Sequence, residues 1–118
     1  MIFKTAILQI HSRNRDIQNN ISTVIDKMEE AKRNGADILL LPECFLTGYD
    51  LTIGNSEALS EAELLPLCEK AKELQIGVVA TAITKGAEKP QNAAFVIDKN
   101  GGILMKYAKV HTCQENER

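Results

Sequence analysis

The sequence predicts an α/β fold, a βαβαβ run followed by a β-hairpin, and three observations carry that reading. The hydrophobic period switches from strand-like to helical and back within the first forty residues. The second apolar run is continuous rather than alternating, which suits a strand in a parallel sheet. Near the end, Lys99 to Gly102 ("KNGG") separates two strand-like segments with the residues a tight hairpin turn uses.

Taken in order, Ile2 to Ile10 ("IFKTAILQI") is rich in Ile, Phe, Thr and Leu without helical spacing, and is expected to be a buried first strand. From Ile17 the apolar positions Ile17, Ile21, Val24, Ile25, Met28 and Ala31 recur at helical intervals. Asp16 is placed to cap that helix and Gly35 to end it. "ADILLLP" from Ala36 is the second strand, expected to be covered on both faces. Ser60 and Glu63 have the spacing of a capping box ahead of Leu64, Leu67, Cys68, Ala71 and Leu74. Pro66 fits only a first helical turn, so the regular helix is expected to begin later than the box. "GVVATAI" from Gly77, "NAAFVID" from Asn92 and "GILMKYAKVH" from Gly102 supply three further strands.

A chain of 118 residues is the usual size of one domain and can bury a core without staples. No linker or repeat divides it, so residues 1–118 are read as a single domain. With 25% charged residues and a formal net charge of -2, the chain offers no basic field for nucleic acid or an anionic membrane. No apolar run reaches the roughly 18 residues of a membrane helix, and the start lacks signal-peptide features, so a cytoplasmic protein is expected. Three cysteines without CxxC spacing argue for free thiols. The two histidines, His11 and His111, have no ligand-spaced companions, so neither a metal nor a cofactor is indicated. The turn after the first strand, "HSRNRD", has no glycine, which argues against a phosphate cradle and a nucleotide-binding domain.

Two places could carry chemistry. Glu43, in "LLLPECFLTGYD", follows the second strand, and ligands of open α/β sheets bind beyond the carboxyl ends of strands. Lys109 and His111 form a polar pair at the end of the fifth strand. Taken alone, each reads as a solvated surface group. Taken together with "AILQI", "NISTVIDKMEEAKRNGADILLLPECFLTGYD" and "QNAAFVIDKNGGILMKYAKVH", they make the chain resemble the carbon-nitrogen hydrolase (nitrilase) family. Pro42, Glu43, Thr47, Gly48 and Tyr49 match its first motif, and Tyr107, Lys109 and His111 match its Tyr-x-Lys-x-His.

The resemblance implies a Glu-Lys-Cys mechanism on a small-molecule amide or nitrile, within an α-β-β-α sandwich of which this chain supplies the first part. It implies Glu43 as general base and Lys109 as the cation facing developing negative charge. Glu117, eight residues after Lys109, would be an auxiliary catalytic glutamate. Tyr49 and His111 would contact substrate, and association into homo-oligomers is expected. The family's nucleophilic cysteine lies some tens of residues beyond the lysine, and none of Cys44, Cys68 or Cys113 is expected to replace it. Cys44 and Cys68 read as packing thiols. Cys113, near two groups that could lower a thiol pKa, is the nearest rival, but it stands where the family has no nucleophile. The polar end "TCQENER", with no closing helix after the fifth strand, leads to the expectation of a domain incomplete at its C-terminus. Alone, it is expected to be inactive. The alternative is a remnant that acts as an interaction or assembly module through exposed sheet surface.

Overall fold

The computed structural model describes residues 2–50 and 52–108. The order is β1 (Thr5–Ile7), α1 (Ile17–Arg33), β2 (Ile38–Leu40), a 3-10 turn (Glu61–Leu64), α2 (Leu65–Leu74), β3 (Gly77–Thr84), β4 (Gln91–Ile97) and β5 (Ile103–Ala108). Among the described residues the strands form a five-stranded sheet in the order β1-β2-β3-β4-β5. β1, β2 and β3 are parallel neighbours, and β3–β4 and β4–β5 are antiparallel.

Local sequence explains the element ends. Asp16 accepts a hydrogen bond from the backbone N–H of Asn19 at 3.1 Å, so one orphan donor of α1 is satisfied. Gly35, at φ +83, turns the chain into β2, as its position after α1 predicts. At the second helix Glu63 accepts from the backbone N–H of Ser60 at 2.8 Å. Four 3-10 residues follow before α2 starts at Leu65 with Pro66 in its first turn, which is the delayed start expected of that proline. At the β4–β5 turn, Asp98 accepts from the N–H groups of Asn100 at 2.9 Å and Gly102 at 3.0 Å.

Both helices pack on one face of the sheet. Val24 and Met28 of α1 and Leu67 and Ala71 of α2 are buried against Leu39, Val78, Ala80, Phe95 and Ile97. Because successive strand residues point to opposite faces, the register places Ile7, Leu40, Val79, Val96 and Met105 in one row across the other face. In that row Ile7 is 65% exposed and Met105 58%. This corrects two expectations. The first strand is a three-residue edge strand rather than a buried run from Ile2 to Ile10, because only Ala6 among Thr5–Ile7 turns toward the helices. Within the second strand only Leu39 is fully buried, since among the described residues no helix covers the side where Ile38 and Leu40 lie.

Candidate active site

Glu43 does not sit in a strand. β2 ends at Leu40, and Glu43 to Thr47 form a tight turn in which Cys44 takes φ +58. Glu43 and Cys44 are therefore separated by a left-handed turn, not by strand alternation. Cys44 is fully buried in a small cluster with Ile53, Ala58 and Ile83. Glu43 is exposed at the rim.

The turn is tied down from two sides. On the β3 side, the Thr81 hydroxyl accepts from the Phe45 N–H at 3.0 Å and donates to the Pro42 carbonyl. The Leu46 N–H donates to the Thr81 carbonyl at 2.9 Å, and the Ile83 N–H to the Thr47 hydroxyl, also at 2.9 Å. On the α1 side, Asn20 is 1% exposed; its amide donates to the Leu46 carbonyl at 3.0 Å and the Arg13 carbonyl at 2.7 Å. Buried polar side chains need such partners, and here their partners are the backbone that carries Glu43. Gly48 closes the turn at φ +86, where a Cβ would stand 2.1 Å from Asn14 Oδ1.

Glu43 overhangs an open depression of about 310 Å³ on the sheet face opposite the helices. Thr81, Asn92, Ala93, Ala94 and Tyr107 line it with Glu43. The Asn92 side-chain amide donates to Glu43 Oε2. Tyr107, 67% exposed, belongs to β5 and pairs in register with Ala94, so this one residue of the second motif lines the same depression as Glu43. Tyr49, expected to contact substrate, is half-exposed one residue past Gly48 and is not among the residues lining the depression. Lys109, His111, Glu117 and Cys113 lie outside the described residues. Cys68 packs partly buried on α2, and burial, with Glu61 and Glu69 nearby, pushes its thiol pKa up, the wrong direction for a nucleophile.

The adjoining loop carries a charged cluster. Arg15 reaches Asp50 at 3.3 Å and also pairs with Glu57, while its guanidinium donates to the Thr52 hydroxyl at 2.5 Å. Glu57 is held below the usual carboxylate range chiefly by its bond from Arg15, and Asp50 chiefly by its bonds from Thr52. Sequence reasoning singled out neither Asn92 nor Thr81 as a site residue. Each faces the depression only through the β3–β4 register, which pairs Thr81 with Ala94 and Ile83 with Asn92.

Comparison with known proteins agrees with this geometry. The family model described as carbon-nitrogen hydrolase matches residues 4–118. Nitrilase homolog 2 of Dictyostelium discoideum is 32% identical over 117 residues, covering 93% of this chain and 35% of that protein. The mouse omega-amidase NIT2 is 30% identical over 112 residues, covering 92% of this chain and 40% of its own length. An amidase from Nesterenkonia superposes with a TM-score of 0.80 at 26% identity, over 98% of this chain and 45% of that one. Substituted variants of the amidase from Nesterenkonia sp. AN1 have been solved with acrylamide, with butyramide, and with the acetamide moiety of fluoroacetamide added covalently at the active-site cysteine. The chain thus spans less than half the length of the relatives it matches.

Proposed function

The chain belongs to the carbon-nitrogen hydrolase family, and from that premise we propose that it carries the glutamate and lysine side of a site that hydrolyses the carbon-nitrogen bond of a small-molecule amide. The observation that supports this most is the position of Glu43. It stands on a rigid turn beyond the carboxyl end of β2, over a depression that the Tyr107 strand also lines.

In the proposed reaction Glu43 takes the proton of a cysteine thiol, and the thiolate attacks the amide carbon. Lys109 faces the oxygen on which negative charge develops. The carbon-nitrogen bond breaks as Glu43 returns the proton to the departing nitrogen, leaving a thioester. Glu43 then takes a proton from water, the resulting hydroxide attacks the thioester carbon, and the carbon-sulfur bond breaks as Glu43 gives that proton to the departing sulfur, releasing the acid and the free thiol. Glu117 is proposed to orient Lys109 and substrate, and Tyr49 and His111 to contact substrate. The nucleophile is proposed to be none of this chain's cysteines. Cys44 is sealed in an apolar cluster, Cys68 faces the helix layer, and Cys113 stands at a position the family does not use for attack.

The test is a titration of the labelled chain with butyramide followed by amide-resolved NMR. Shifts concentrated at Glu43, Thr81, Asn92 and Tyr107 are expected. Shifts confined to residues away from the depression would overturn the assignment of the substrate site.

A second reading, an assembly module without catalysis, is favoured by one observation, the uncovered apolar row Ile7–Leu40–Val79–Val96–Met105. It predicts concentration-dependent association in sedimentation that Met105→Lys abolishes. A monomer at all concentrations would end it.

A further inference from the structure

We infer that Asn92 is a positioning residue for Glu43. Its side-chain amide fixes the plane and direction of the carboxylate over the depression, and the inference rests on the proposed role of Glu43 as base. A glutamate exposed on a turn has three rotatable side-chain bonds, and general-base catalysis needs its oxygen held within hydrogen-bond reach of one proton. The backbone under Glu43 is fixed by Thr81, Thr47 and Asn20, but those bonds do not restrain the side chain beyond Cβ. The bond from Asn92 to Oε2 does.

The donor comes from a strand that is tied to the turn through β3. Asn92 lies in β4, opposite Ile83 of β3, and Ile83 also donates its N–H to Thr47 of the turn at 2.9 Å. Glu43 is therefore referenced to the same β3–β4 pair through its backbone and through its carboxylate. The donor is a neutral amide, which directs one carboxylate oxygen without adding a charge of its own. The sequence separation of 49 residues means the contact exists only once β3 and β4 have paired.

The test is made on the full chain, labelled with 13C and 15N. In the wild type, a through-hydrogen-bond correlation from Asn92 Nδ2 to the Glu43 carboxyl carbon is expected, together with side-chain couplings of Glu43 that report one rotamer. Asn92→Ala and the nearly isosteric Asn92→Asp are each expected to lose the correlation and to average the Glu43 couplings, with the backbone signals of β3 unchanged. A merely structural Asn92 would instead shift β4 backbone signals and leave the Glu43 rotamer as it was. That result, or a wild type with no such correlation and an averaged Glu43, overturns the inference; the wild-type measurement decides even if Asn92→Ala does not fold. Failure of Glu43 as base would show separately, in residues 1–118 joined to the missing part of a related amidase, as amide hydrolysis that survives Glu43→Gln while the Asn92 correlation remains intact.

Discussion

Thr81→Val is the most exacting perturbation of the site's scaffold. Valine keeps the β-branched shape and the strand preference of threonine. It removes one hydroxyl that accepts from Phe45 and donates to Pro42. Phe45 is buried, so its N–H would be left without a partner, at a cost of about 1–3 kcal/mol. Pro42 is only half-buried and its carbonyl can take water, so its loss adds roughly 0.5 kcal/mol. The sum is about 1.5–3.5 kcal/mol. At a urea slope of about 1.5 kcal/mol/M, the midpoint should fall by roughly 1–2.3 M. Thr81→Ser keeps the hydroxyl and loses one methyl, at about 0.8 kcal/mol. Urea unfolding of the two variants beside the wild type reads the difference. If Thr81→Val is as stable as Thr81→Ser, the hydroxyl does not hold the turn, and the reasoning that the turn is clamped from β3 fails.

Gly48→Ala combines a left-handed backbone with a Cβ 2.1 Å from Asn14 Oδ1 and 2.8 Å from Asn14 Cα, so a loss of about 2–4 kcal/mol is expected in the same assay. For the charged cluster, the carboxyls of Asp50 and Glu57 are held below their ordinary values, so their contribution is present above the unfolded carboxylate range near about 4 and is lost as the pH falls through the lower folded values. Arg15→Ala should flatten the acid limb of a stability–pH curve through Glu57, whose largest partner is Arg15. It should leave most of the share of Asp50, which Thr52 holds. With a maleimide at neutral pH, Cys68 should react more slowly than free cysteine because burial raises its pKa, and Cys44 only after unfolding; rapid native labelling of Cys44 by mass spectrometry would contradict its place in the apolar cluster.

How far the sequence disclosed the structure differs by element. α1 was legible because its apolar positions are local and periodic, and its Asp16 cap is three residues from the N–H it accepts. The delayed start of α2 followed from Pro66 alone, for the same reason. The exposure of β1 was not legible. An edge strand and a central one share composition, and which strand lies at the edge depends on the sheet order. Glu43 was found through its motif and its place after β2, but its partners were not. Thr81 and Asn92 are 38 and 49 residues away, and only the register of β3 with β4 brings them to the turn. The turn itself was not legible either, because Glu43 to Thr47 curl back on β3 through bonds to residues far along the chain instead of extending β2.

The central claim is that Glu43 is the base of a carbon-nitrogen hydrolase site. It is tested most directly by joining residues 1–118 to the part of the Nesterenkonia amidase that this chain does not match, and measuring ammonia released from butyramide. The fusion is expected to hydrolyse the amide. Glu43→Gln, with folding unchanged, is expected to lower the rate by about 10²–10⁴-fold, the range a general base supplies. A folded Glu43→Gln fusion that releases ammonia as fast as its parent would contradict the account.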